Sequence, residues 1–213
     1  ERVSEFSVSP TGVLVYTPEP EPLSHRLVWV DRHGIVFPLP LAAGDYSDPS
    51  LSPDGRQIAL VRRDASGAHI YVYDIERETL QKRTFEGDNW FPIWTPDSRH
   101  LTFTRGPDYI GPLMRLPADG SGQPVPLVTD DQRAGEKVPT SWSPDGGVLA
   151  FQNNQDVVVR DGNGVLHAAL ATPAFEREGR FAPGGRWLAY RSNETGRDEV
   201  YVQSYPPGRG KWQ

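Results

Sequence analysis

The chain has 213 residues and a formal charge of −6, from 22 Lys and Arg against 28 Asp and Glu. That balance argues against nucleic acid as a partner, since proteins that bind it usually carry a basic face. The absence of Cys excludes disulfide scaffolds, thiol catalysis and Cys-ligated zinc.

The opening residues, Glu1-Arg2-Val3-Ser4-Glu5, lack the features of a signal peptide and read as the middle of something longer. From there one tetrapeptide recurs: Ser9-Pro10-Thr11-Gly12, Ser52-Pro53-Asp54-Gly55, Thr95-Pro96-Asp97-Ser98, Ser143-Pro144-Asp145-Gly146 and Ala182-Pro183-Gly184-Gly185. Its prolines are 43, 43, 48 and 39 residues apart, the ~40–45-residue period of a propeller blade. Each copy carries four short runs of β-branched and aromatic residues split by turn residues, which predict strands. In the second copy these are Pro49-Ser50-Leu51, Ile58-Ala59-Leu60-Val61, Ile70-Tyr71-Val72-Tyr73 and Leu80-Gln81-Lys82-Arg83. No segment of ten or more residues keeps helical periodicity, so no helix is predicted. The reading is an all-β propeller of four-stranded antiparallel blades, divided at 1–42, 43–86, 87–130, 131–172 and 173–213.

The tetrapeptide has a mechanical reason to recur. Pro pre-sets φ for the first corner of a turn, Asp bonds the backbone that follows it, and Gly supplies the left-handed residue. Pro38, Pro40, Pro124 and Pro126 fall on the fourth run and place it at a sheet edge, since proline lacks a ladder donor. The first run then lies innermost, with Pro49, Pro92 and Pro139 at or just before its start.

Chemistry is sparse. No Gly-x-Ser-x-Gly elbow occurs, and no Ser stands out as a nucleophile beside a His. His25, His33, His69, His100 and His167 lack metal-ligand spacing, so neither a catalytic residue, a metal nor a cofactor is predicted. Asp119-Gly120-Ser121-Gly122 and Asp161-Gly162-Asn163-Gly164 read as hairpin turns, because the alternating carboxylates of a calcium loop are missing. Glu176-Arg177-Glu178 and Asp130-Asp131 read as solvated loop charges. The connections from each fourth strand to the next first strand place aromatic residues beside polar ones. They nominate Tyr46, Asp48, Asn89, Trp90, Lys137, Phe175 and Arg177 as a binding surface. Packing of Trp90 and Phe91 between blades is the competing expectation.

The run Pro49-Ser50-Leu51-Ser52-Pro53-Asp54-Gly55 with Ile70-Tyr71-Val72-Tyr73-Asp74, together with Ser141-Trp142-Ser143-Pro144-Asp145-Gly146, resembles the TolB-like propeller repeat across essentially the whole chain. Leu27-Val28-Trp29-Val30-Asp31-Arg32, Asp88-Asn89-Trp90-Phe91-Pro92 and the stretch from Ser192 to Val202 resemble propellers fused behind bacterial Ser/Thr kinases. Kinase signatures themselves are missing, so any kinase would lie outside this chain. The resemblance implies a binding platform, scaffold or sensor, periplasmic or extracellular, that engages a protein, peptide or glycan without inserting into a membrane. A propeller lyase or glycosidase, the gating domain of a peptidase, and a purely structural repeat scaffold, natural or engineered, are the alternatives. Five blades are expected either to close by packing the first on the fifth or to self-associate through the exposed blades.

Overall fold

A computed structural model describes residues 6–8, 12, 14–16, 24–130, 134–170, 172–208 and 210–213. The first tetrapeptide, apart from Gly12, lies outside the described residues, as does Asp131.

Five four-stranded antiparallel sheets follow one another along the chain, each ordered by sequence from its first strand to its fourth. The first holds β1 (Phe6–Val8), β2 (Leu14–Tyr16), β3 (Val28–Val30) and β4 (Val36–Pro38). The second holds β5 (Tyr46–Leu51), β6 (Gln57–Asp64), β7 (Gly67–Asp74) and β8 (Thr79–Lys82). The third holds β9 (Asn89–Trp94), β10 (His100–Arg105), β11 (Leu113–Pro117) and β12 (Val125–Val128). The fourth holds β13 (Lys137–Trp142), β14 (Leu149–Asn153), β15 (Asp156–Arg160) and β16 (Leu166–Leu170). The fifth holds β17 (Glu176–Phe181), β18 (Trp187–Ser192), β19 (Glu199–Ser204) and β20 (Lys211–Trp212). The first strands β1, β5, β9, β13 and β17 contact one another in succession, which puts them around the axis and the fourth strands on the rim. Pro38 and Pro126 accordingly stand on rim strands, where a missing N–H breaks no second ladder. The one helical turn among the described residues is a 3-10 turn at Pro107–Tyr109, in the β10–β11 connection, where no helix was expected.

The inner strand of the first blade begins at Phe6 as the sequence pattern suggests, while β5, β9, β13 and β17 begin three residues earlier than it does. Pro49, Pro92 and Pro139 therefore sit inside β5, β9 and β13 rather than at their starts. The physical reason is a one-residue bulge, present in β5, β9, β13 and β17. A bulge leaves part of the ladder unpaired, and a proline next to it loses nothing. Asp48, Phe91 and Glu178 occupy equivalent places in these bulges, with φ of 51°, 53° and 57°.

The recurring turn closes by the same bonds in several blades. The N–H of Gly55, Ser98, Gly146 and Gly185 donates to the carbonyl of Ser52, Thr95, Ser143 and Ala182, at 2.8–2.9 Å. In three copies the hydroxyl of Ser52, Thr95 or Ser143 donates to Oδ1 of Asp54, Asp97 or Asp145 and also accepts an N–H from the second strand. The same carboxylate oxygen accepts the N–H of Arg56, Arg99 or Gly147. The hydroxyl and the carboxylate thus satisfy a hairpin end that would otherwise need water.

Between blades the middle strands bury both faces. Ile58 and Leu60 join Leu27, Leu39 and Tyr73 on one side of the second sheet, while Ala59 and Val72 meet Trp94, Leu101, Phe103 and Met114 on the other. Trp94 ends β9 and donates through Nε1 to Ser50 O of the preceding blade at 2.9 Å. Each blade packs against the next, but among the described residues no comparable packing joins the strands of the fifth blade to those of the first. The fifth blade leaves Trp187, Val200 and Trp212 exposed, and the first leaves Val8 and Val36 exposed.

Gly55 and Gly146 both have φ of 72°, a region that costs an L-residue about 1–2 kcal/mol. Gly55→Val and Gly146→Val are expected to destabilise by at least that amount. Asp54→Ala, which removes hydrogen bonds at an exposed turn, should cost about 1 kcal/mol or less. Thermal melts of the three variants check the order; equal and negligible shifts would contradict the turn geometry.

Candidate functional site

The loops that carry the chain from a rim strand to the next inner strand share one face with the loops joining second to third strands. On this face, the first residue of each inner strand is Tyr46, Asn89, Lys137 or Glu176. The types differ, yet all four are buried. Each ties its incoming loop to the strand. The Tyr46 hydroxyl donates to Ala42 O at 3.0 Å, and burial pushes its pKa up, outweighing the opposing charge of Arg62. Asn89 Nδ2 reaches the carbonyls of Gly87, Glu86 and Ala68 at 2.8, 3.0 and 3.3 Å. Lys137 Nζ donates to Asp130 Oδ1 at 2.5 Å and to the carbonyls of Gly135 and Gly111 at 3.1 and 3.3 Å. Glu176 accepts the Thr172 hydroxyl. Three nominated residues, Tyr46, Asn89 and Lys137, are thus held as fasteners of the loops, with their polar groups turned to backbone and, for Lys137, to Asp130 as well.

The remaining nominees reach the surface. Trp90 is half-buried: its Nε1 donates to Gly106 O at 3.2 Å, and the Arg63 guanidinium of the preceding blade lies 5.0 Å over its ring. Tyr109 meets Trp90 edge-on at 5.3 Å and Phe91 at 4.8 Å. Trp90 and Phe91 are neighbours in sequence, and Tyr109 joins them from the β10–β11 loop. That loop is held in an unusual shape. Asp108 and Tyr109 have φ of 49° and 64°, and a Cβ on Gly106 or Gly111 would lie about 2 Å from a carbonyl oxygen. Non-Gly residues in the left-handed region persist only where surroundings enforce them, and such residues gather at binding sites. Phe175 is 38% exposed, with the Arg177 guanidinium 5.2 Å from its ring and its N–H bonded to Asn193 Oδ1 at 2.8 Å. Asp48 accepts the Ser47 hydroxyl at 2.9 Å within the second blade's bulge. The structure therefore joins Trp90 to Phe91 and Tyr109, and Phe175 to Arg177, as two separate patches.

One cluster escapes a search for nucleophile motifs. Ser66 Oγ lies 2.9 Å from His69 Nε2 and 2.5 Å from Asp64 Oδ1 across the β6–β7 hairpin. A hydrolytic triad needs the carboxylate on the far nitrogen of the imidazole, so that the histidine takes the serine proton. Here the serine hydroxyl donates to Asp64, and His69 Nδ1 is buried without a partner. These hydrogen bonds hold Asp64 at a pKa of about 2. The arrangement fastens a turn and differs from a hydrolytic triad in the order of its hydrogen bonds.

The remaining charges have structural partners. Asp119 and Asp161 accept the N–H groups of their own hairpins. Glu178 bridges to Arg191 at 3.5 Å. Among the described residues no group of three or more His, Asp or Glu is placed to hold a metal ion. No described helix is long and apolar enough to cross a membrane.

No protein-family model matches the chain. Over 64 residues it is 41% identical to the Tol-Pal system protein TolB of Alcanivorax borkumensis, covering 28% of the chain and 14% of that protein. Over 161 residues it is 26% identical to the uncharacterized peptidase YuxL of Bacillus subtilis, covering 72% of the chain and 23% of that protein. The chain thus spans under a quarter of either relative. Among solved structures, a putative TolB from Agrobacterium tumefaciens superposes with a TM-score of 0.82 at 18% identity, over 97% of the chain and 78% of that structure. The fold is that of the TolB-like β-propellers.

Two histidines give the site and its surroundings a pH signature. Burial is the main cause holding both His69 and His100 below the ordinary 6.5, helped by Lys82 for the first and Arg115 for the second. Protonation is penalised in the folded state, so the unfolded chain takes up protons first. Stability contributed by these groups is present above pH 6.5 and is lost as pH falls below it toward their folded values. Melts at pH 7.5 and pH 5.5 should differ less in the double variant His69→Gln, His100→Gln than in the parent. An unchanged difference would mean that neither imidazole is held neutral.

Proposed function

We propose that this chain is a non-catalytic recognition module, a scaffold or sensor, that binds a protein or peptide partner on the loop face through Trp90, Phe91 and Tyr109. One observation carries the reading: three aromatic rings are gathered at a half-exposed spot by backbone held in the left-handed region, with Arg63 alongside. Rigid aromatic anchors next to a guanidinium are what recognition surfaces use. Phe175 with Arg177 forms a second, smaller contact point. A periplasmic or extracellular setting, and linkage to a kinase in the parent protein, follow from the sequence resemblance and belong to this proposal. The Ser66 geometry supports a non-enzymatic role over a hydrolase.

Peptides selected from a random display library against the protein provide the probe. Trp90→Ala and Tyr109→Ala should each weaken the selected peptides at least ~10-fold, or about 1.4 kcal/mol, with little change in Tm. If Trp90→Ala chiefly lowers Tm and leaves peptide affinity alone, the residue is a packing element and the reading fails. Selection of no binding peptide, with specific retention on a glycan array, would move the reading to carbohydrate.

Exposed Trp187, Val200 and Trp212 on one end blade, with Val8 and Val36 on the other, favour self-association as well. Light scattering should show a mass that rises with concentration, and Trp212→Lys should suppress the rise. A concentration-independent monomer of 23.7 kDa with a cooperative melt would refute it.

A further inference from the structure

The repeat provides an internal control for what the scaffold requires. In the second, fourth and fifth blades the same cross-strand pair of middle-strand residues is Ala59 with Val72, Ala150 with Val159 and Ala189 with Val202. In the third blade it is Thr102 with Arg115. Val72 and Val159 are buried core residues, so a guanidinium at this place runs against the packing rule that the other blades follow. Its bonding is incomplete. Arg115 Nη2 meets His100 Nδ1 at 3.1 Å, while Nε is buried with no hydrogen-bond partner. Burial, and after it the Arg115 charge, hold the His100 pKa down, so its Nδ1 serves as acceptor and Arg115 meets a neutral group there rather than a carboxylate. A buried unpaired donor is costly and calls for an explanation.

Arg115 lines a cleft of about 430 Å³ between the third and fourth blades, on the face of the recurring turns and away from the aromatic trio. That volume falls in the range that takes small molecules. Pro96, Pro144 and the half-buried Trp142 supply apolar walls. Trp142 is fixed by its Nε1 donating to Thr102 Oγ1 at 3.1 Å, the other departure in the same cross-strand pair. Asp97 and Asp145 stand on the rim. Each turns Oδ1 to its own hairpin, and hydrogen bonds from Thr95 and Ser143 keep both carboxyls ionised. The cleft therefore sets one cation inside and two anions at the mouth, with an aromatic wall between.

We infer that this cleft binds a small zwitterion of amino-acid or dipeptide size, its carboxylate on Arg115, its ammonium toward Asp97 and Asp145, and its side chain against Trp142. A simple anion would meet repulsion at the rim, and a simple cation would meet it inside. A ligand carrying both charges satisfies both ends. This inference uses none of the residues of the loop-face reading, so either can fail alone.

Glycyl-leucine, its C-terminal amide and its N-acetyl form are the probes, followed by calorimetry on the intact chain. Saturable binding of glycyl-leucine is expected, with the amide and the acetylated form each at least ~10-fold weaker. Arg115→Val installs the residue that the second, fourth and fifth blades carry. It should abolish binding while leaving Tm unchanged or raised, and Arg115→Lys should restore part of the affinity. Absence of saturable binding by glycyl-leucine up to ~10 mM would overturn the inference, whichever way Tm moves. Equal affinity for all three probes, or a lower Tm in Arg115→Val, would also overturn it, the latter by making the arginine a structural residue.

Discussion

The sheets inside the array are covered on both faces by their neighbours, and that requirement governs the rest. A single blade is one repeat of the array and cannot bury its apolar faces alone. Stacking blade on blade solves this, with Ala59 on one sheet making room for Trp94 on the next. Because both faces are buried, the middle strands read as unbroken apolar runs such as Ile58-Ala59-Leu60-Val61 rather than as alternating ones. The crowding of inner strands around an axis follows from the same stacking.

Much of this was legible in the primary structure because it is repeated. A turn that needs Pro for one corner, a carboxylate for the next and a left-handed residue for the third announces itself when it recurs every forty-odd residues. The rim position of the fourth strands could likewise be read from Pro38 and Pro126, for a stated reason of hydrogen bonding. What could not be read is what depends on distance across the fold. Asn89 and Lys137 look like surface polar residues in a loop, yet their amide and ammonium are spent on backbone carbonyls and, for Lys137, on Asp130. Tyr109 lies eighteen positions from Phe91 in a different connection, and only the tight Gly106–Gly111 loop brings the rings together. The Ser66–His69 contact hides because a hairpin, rather than a motif, creates it.

The repeat is also informative where it is broken. A residue that departs from the pattern at an exposed place says little, since such places tolerate most changes. A departure at a place that is apolar in the other blades carries a cost that has to be balanced by something. Thr102 and Arg115 are such departures, and they occur as a cross-strand pair. Natural sequences hold to consistent local rules except where function sets a competing demand.

The bulge in β5, β9, β13 and β17 has a consequence for how such a protein can diversify. In β5, β9 and β17 its left-handed residue is specified by the ladder on either side, so the backbone presents that position with an acid or a ring alike. Asp48, Phe91 and Glu178 are an acid, an aromatic ring and an acid on one template, whereas Pro139, whose ring holds φ negative, fills the equivalent place of the fourth blade. The architecture in effect separates a fixed frame from a small set of interchangeable fittings. A lineage built this way can exchange what it recognises by point substitution around the axis, while the apolar layers between its blades go on unaltered.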